Sequence, residues 1–162
     1  MITVNLMPSD VEKCRRAALR RVNERLRAGA INPEEFTWHL KCHETGCFGE
    51  WAVCKYYDCD WTGEYFEGDS WNSRAWDTEV GEVRATFQSR LNKGIKMYKT
   101  DDRPDAPYIL AHLQRQGTIF IQAKLIGWAW QSDVRERYWS RGQYYFLPDY
   151  FLRPMNTLPT QR

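Results

Sequence analysis

Ala75-Trp76-Asp77-Thr78-Glu79-Val80-Gly81-Glu82-Val83-Arg84-Ala85-Thr86 is the stretch in which the chain changes its period. Up to Asp58 apolar residues recur on helical spacing; residues 60–76 are aromatic and Gly-containing and hold no helical period. From Glu82 onward apolar residues alternate or run continuously between glycines and prolines, as strands do. Upstream, Val11, Cys14, Ala18, Val22 and Leu26 follow a Ser9/Glu12 capping pair and stop at Gly29, which predicts a helix over 9–28. Asn32-Pro33-Glu34 opens a short helix to about His43, and Glu44 to about Tyr57 reads as another, buried through Phe48, Trp51, Ala52 and Cys54. Gly46 and Gly49 in that helix imply a close backbone approach. Downstream, strands are expected at Glu82–Gln88, Ile95–Tyr98, Tyr108–Leu113 and Thr118–Trp130. A short helix is expected over 132–140, an edge strand at Tyr144–Leu147 and a loose tail from Pro154. Helices followed by strands give an α+β or mixed α/β fold.

The 162 residues form one domain, with 43% apolar side chains and eight Trp excluding a disordered chain. No apolar run reaches the ~18 residues of a membrane span. The opening MITVNLMPSD shows no basic, apolar leader, so a cytoplasmic location is expected. Five cysteines, an odd number, are read as reduced thiols. Cys42, Cys47, Cys54 and Cys59, with His39 and His43, lack the CxxC spacing of a zinc site, and buried thiols are the favoured reading over a metal cluster. Net charge is only +2, but residues 9–29 carry seven basic and three acidic side chains, leaving +4 there and −2 elsewhere. Such a stripe suits either a polyanion or a solvated helix face.

The chemistry sits in the quoted stretch. Glu82 and Arg84, two apart on a strand, share a face. If Thr78–Gly81 form a four-residue loop, Asp77 faces Glu82, their Cβ atoms about 4.5–5.5 Å apart; a three-residue loop turns Asp77 away. Paired carboxylates repel unless a cation bridges them, and Mg²⁺ is commonly held by one or two carboxylates plus phosphate oxygens. Such a metal activates a bound water, and an adjacent fixed charge, here Arg84, stabilises a pentavalent phosphorus transition state. Arg stays protonated and so serves as a charge rather than a base. The plain alternative is a hairpin with a surface Glu–Arg pair.

These residues resemble the core motif of the PD-(D/E)XK nuclease superfamily, in particular a group of small phage and prophage proteins. Gly46-Cys47-Phe48-Gly49-Glu50 resembles its GxxGE helix motif, Asp77 the first acidic position, and Glu82-Val83-Arg84 the (D/E)XK strand. The run from Asp101 to Leu110, Ile126-Gly127-Trp128, Phe146-Leu147-Pro148 and Leu152-Arg153-Pro154 also resemble that group, so the likeness spans about residues 44–155. It implies a central mixed sheet flanked by helices, a restriction-endonuclease-like core over 44–153, with 1–43 as a helical extension and 154–162 as a tail. It also implies Mg²⁺ (or Mn²⁺) held by Asp77, Glu82 and Glu50, and DNA as substrate. Arg15, Arg16, Arg20, Arg21 and Lys124 would grip phosphates. Arg84 stands where the motif has Lys, and the interval from Asp77 to Glu82 is short for the superfamily. A rival mapping uses Pro104-Asp105 with Gln122-Ala123-Lys124, but neutral Gln122 is a poorer ligand for a hard dication. The expected function is therefore a metal-dependent DNA endonuclease, with a homodimer as one way to cut two strands. The alternative is a catalytically lapsed relative that binds DNA or a host protein, for example as an inhibitor of a bacterial defence complex.

Overall fold

Residues 1–61, 63, 77–87, 94–98, 106–117, 119–136 and 144–159 are described by the computed structural model of the chain. The architecture is mixed α+β. Strand β1 (Ile2–Leu6) precedes α1 (Pro8–Arg27) and α2 (Phe36–Tyr57). Then come β2 (Glu82–Phe87), β3 (Gly94–Tyr98), β4 (Pro107–Gln116), β5 (Phe120–Trp130), α3 (Gln131–Glu136) and β6 (Tyr144–Pro148). Four strands form a central mixed sheet in the order β1-β5-β4-β2, with β2 parallel to β4 and the other pairs antiparallel; β3 and β6 form a separate two-stranded antiparallel sheet.

The strand alternation puts Val83 and Ala85 of β2, Ile109, Ala111 and Leu113 of β4, and Ala123 and Leu125 of β5 on one face. There they join Val11, Cys14, Ala18, Phe48 and Val53 of α1 and α2 in the main core. Tyr108, Leu110 and Ala129 on the other face pack with Ile95, Met97, Leu147 and Val134 in a second core. Two helices thus cover one face, and the two-stranded β3–β6 sheet with α3 covers part of the other.

Several expected boundaries change. The chain from Ile2 to Leu6 alternates exposed with covered residues and pairs with β5, a strand not anticipated from the sequence. Helix α1 starts one residue early, and its first turn is capped by Asp10, whose Oδ2 accepts from the Met7 amide at 2.8 Å, rather than by Ser9 and Glu12. The two expected helices after Asn32 are one: a 3-10 turn at Pro33–Glu35 runs into α2, because nothing at Glu44 breaks the backbone ladder. Helix α2 ends at Asp58 in the left-handed region (φ 53°). Helix α3 is described only to Glu136, and the rest of the expected 132–140 helix lies outside the described residues. The expected loose tail packs on the fold: Met155 and Leu158 are buried, and Trp128 Nε1 donates to Pro154 O and Thr157 Oγ1, both at 3.1 Å.

Gly49 explains how α2 approaches β2. A Cβ there would lie 2.5 Å from Ala85 Cβ and 3.1 Å from Val83 Cγ1. Gly→Ala inside a helix ordinarily gains about 1 kcal/mol. Here Gly49→Ala is expected to lose about 1–3 kcal/mol by overpacking, measured by urea unfolding; a more stable variant would contradict this contact.

Candidate functional site

The hairpin entering β2 settles the position of Asp77. Thr78 and Gly81 form an antiparallel bridge with reciprocal amide–carbonyl bonds of 3.2 and 3.3 Å, reinforced by Thr78 Oγ1 donating to Gly81 O at 2.8 Å. Gly81 sits at φ +147°, and a Cβ there would lie 2.4 Å from Pro107 O, so this tight reversal needs glycine. The bridge is isolated and does not extend to a pairing of Asp77 with Glu82. Asp77 Oδ2 accepts from the Val83 amide at 3.0 Å, fixing the carboxylate to the strand. Among the described residues its Oδ1 has no partner, and Asp77 remains about one-third exposed.

Glu82 is 2% exposed. Arg84 Nη1 lies 3.5 Å from Glu82 Oε2 and 3.7 Å from Asp77 Oδ2, so one guanidinium nitrogen stands between the two carboxylates. Its position is set by Arg84 Nε donating to Lys96 O at 3.3 Å and by stacking over Tyr108, 4.9 Å from the ring centroid. Asp77, Glu82 and Arg84 are therefore brought together at the start of β2.

Glu50 is nearby but differently committed. Arg21 Nη1 and Nη2 donate to its two oxygens at 2.9 and 2.7 Å, and Trp61 Nε1 donates to Oε2 at 2.8 Å. Burial pushes the Glu50 carboxyl up and the neighbouring Asp77 charge adds to this, while Arg21 and Trp61 oppose them. Burial also works against the Arg21 charge, but the Glu50 carboxylate outweighs it and raises the guanidinium further. This corrects two expectations. Both oxygens of Glu50 are already held, so it does not stand open as a metal ligand. Arg21 is 6% exposed and lies beneath the basic stripe, its Nε donating to Gly63 O, so it does not face a phosphate backbone. Neither partner of Glu50 was singled out from the sequence as such. Only the buried period of α1, which places Arg21 next to Val22 on the inner face, offered a sign.

Arg15, Arg16 and Arg20 are exposed along α1. That helix packs mainly on α2 and touches β1 and β5, on the sheet face opposite Glu82 and Arg84. Lys124 of β5 is half-buried and pairs in register with Thr3 and His112, two strands away from Arg84. Gln122 is likewise on β5, and Asp105 of the rival mapping lies outside the described residues. Cys14, Cys47 and Cys54 are buried thiols; burial pushes Cys47 up to about 12, which makes it inert as a nucleophile or ligand. His43 is pushed down to about 4 by burial and by the charges of Arg21 and Arg25.

A divalent ion suits Asp77 and Glu82 on donor chemistry. Both are hard oxygen ligands, and Asp77 Oδ1 is uncommitted. Among the described residues no three His, Cys, Asp or Glu side chains form a ready metal cage. Mg²⁺ does not need one, since waters and substrate phosphates complete its octahedron. No helix among the described residues is long and apolar enough to cross a membrane.

Comparison of the chain with family models, with curated proteins and with solved structures gives no match.

Proposed function

We propose that the chain is a metal-dependent phosphodiesterase acting on DNA, of the PD-(D/E)XK nuclease type. The observation that carries the reading is the convergence of Asp77 and Glu82 on a single point now filled by Arg84 Nη1. Two carboxylates gathered around one cation are what Mg²⁺ or Mn²⁺ requires. The ion, when bound, would activate a water and shield the departing oxygen. Asp77 and Glu82 would hold it. Arg84, on a flexible stem, would give way to it and stabilise negative charge on the phosphoryl group. Glu50 holds no ion in this reading; paired with Arg21, it braces the elements behind the site. Arg15, Arg16 and Arg20 are proposed to attract the phosphate backbone, with affinity that falls with salt.

A second reading rests on the same contact. If Arg84 keeps its place between the carboxylates, the site is internally neutralised, and the chain is a binding protein of nuclease type rather than an enzyme. The separating experiment incubates supercoiled, linear and branched DNA with the protein and Mg²⁺ or Mn²⁺. Metal-dependent cleavage absent from Glu82→Gln supports the enzyme. Equal trace activity in both proteins leaves the binding protein.

A further inference from the structure

The end of α2 brings two cysteines together. Asp58 takes the left-handed conformation with its amide on Cys54 O, and the Cys59 amide donates to the same carbonyl at 3.0 Å. In this kind of helix ending the side chains at the two closing positions meet, and here both are thiols. Cys54 is 1% exposed, and its Sγ donates to Asp60 O at 3.5 Å, so the sulfur is turned toward the returning chain. Cys59 is partly exposed, and the two thiols are within hydrogen-bonding reach of each other. The Cys59 sulfur also accepts from the Glu79 amide, in the turn between Thr78 and Gly81. Cys14 lies near Cys47 as well, its Sγ donating to Cys47 O at 3.4 Å, but both are fully buried and out of reach of an oxidant.

Disulfides join residues whose Cα atoms lie about 4.4–6.8 Å apart, a span that one amide–carbonyl bond between the two residues imposes. We infer that Cys54 and Cys59 form a dithiol site that takes a small-molecule disulfide, such as oxidised glutathione, as its oxidant and closes into an intramolecular disulfide at the end of α2. Burial pushes both thiols up, but Cys54 donates to Cys59 and lowers it, so Cys59, the one that solvent reaches, is the attacking sulfur. Its thiolate attacks one sulfur of the oxidant; a mixed disulfide forms, the oxidant's own S–S bond breaks, and the first small thiol leaves as thiolate and is protonated. Cys54 then gives up its proton to solvent and attacks the Cys59 sulfur. The bond between Cys54 and Cys59 forms, the mixed disulfide breaks, and the second small thiol leaves. Two protein thiols are oxidised and one small disulfide is reduced to two thiols. The site does not depend on the nuclease reading.

The test uses the full chain with Cys42→Ser, which removes the exposed thiol and leaves four of the five. The folded protein is equilibrated with mixtures of reduced and oxidised glutathione, quenched in acid, alkylated and mapped by peptide mass. Free thiols are expected to fall from four to two, with one linkage, between Cys54 and Cys59, and no glutathione retained. Adding Cys54→Ser is expected to stop the reaction with glutathione held on Cys59, because the second attack is lost. Adding Cys59→Ser is expected to leave Cys54 reduced. Circular dichroism establishes that each variant is folded. Should a serine variant fail to fold, samples of the Cys42→Ser chain quenched at early times are expected to carry glutathione on Cys59 before the linkage appears. Glutathione that persists on Cys59 while Cys54 is present would overturn the inference. So would a linkage through Cys14 or Cys47, or all thiols still free in the most oxidising mixture.

Discussion

Glu82→Gln is expected to cut Mg²⁺-dependent DNA cleavage about 10³-fold, the upper end of the effect of removing one preorganised electrostatic group. The substitution keeps size and hydrogen-bonding capacity in a position that is 2% exposed, so the fold should survive. What it removes is the charge. A single carboxylate left at Asp77 would hold a hard dication less well than the proposed pair, and the water activation such an ion would supply would be lost with it. Asp77→Asn should behave alike, since its amide oxygen can still accept from the Val83 amide but binds Mg²⁺ poorly. Glu79→Gln, exposed in the turn between Thr78 and Gly81, is the control and should leave cleavage unchanged. A supercoiled-plasmid nicking assay over a Mg²⁺ titration reads all three. Equal loss in Glu79→Gln would point to charge in general rather than to the paired site.

The second large effect concerns stability. Arg21 and Glu50 are 6% and 4% exposed, and they meet through two parallel hydrogen bonds. A pair so buried adds little over a well-packed apolar pair, but removing one partner strands the other charge. Arg21→Met is therefore expected to lose about 3–5 kcal/mol in urea unfolding. The deficit has a pH signature. Without Arg21, Glu50 remains buried beside Asp77, so its folded-state pKa lies above its ordinary 4.5. Stability lost by the variant is then recovered as pH falls toward that value and lost again as pH rises through the folded-state pKa. Arg21→Met combined with Glu50→Gln removes both charges and keeps an acceptor for Trp61 Nε1, and should regain most of the loss. A single variant costing under about 1 kcal/mol would mean the pair is solvated like a surface salt bridge.

How much of this was readable in the sequence follows from the range of each interaction. The helix over 9–28, the strand from Glu82 and the start at Asn32 rest on local period and capping, and they stand within a residue or two. Strand β1 did not declare itself, since five alternating residues become a strand only when β5 supplies the partner. The merger of two expected helices into α2 has a similar cause: the break expected near His43 had no stop signal behind it, whereas the close approach read from Gly49 is made against Ala85. In the site, Asp77, Glu82 and Arg84 lie within one turn of a hairpin, and short-range geometry brought them together. The clamp on Glu50 spans 29 residues to Arg21 and 11 to Trp61, and no local pattern announces it. Lys96, whose carbonyl orients Arg84, acts through its backbone and leaves no residue-type signature.

The most direct measurement is a crystal of the full chain grown with Mn²⁺ and examined at the manganese absorption edge. The account expects one anomalous peak within coordination distance of Asp77 and Glu82, with the Arg84 guanidinium displaced from between them and Arg21 still on Glu50. Arg84 unmoved, with manganese absent from that pair at millimolar concentration, would contradict it.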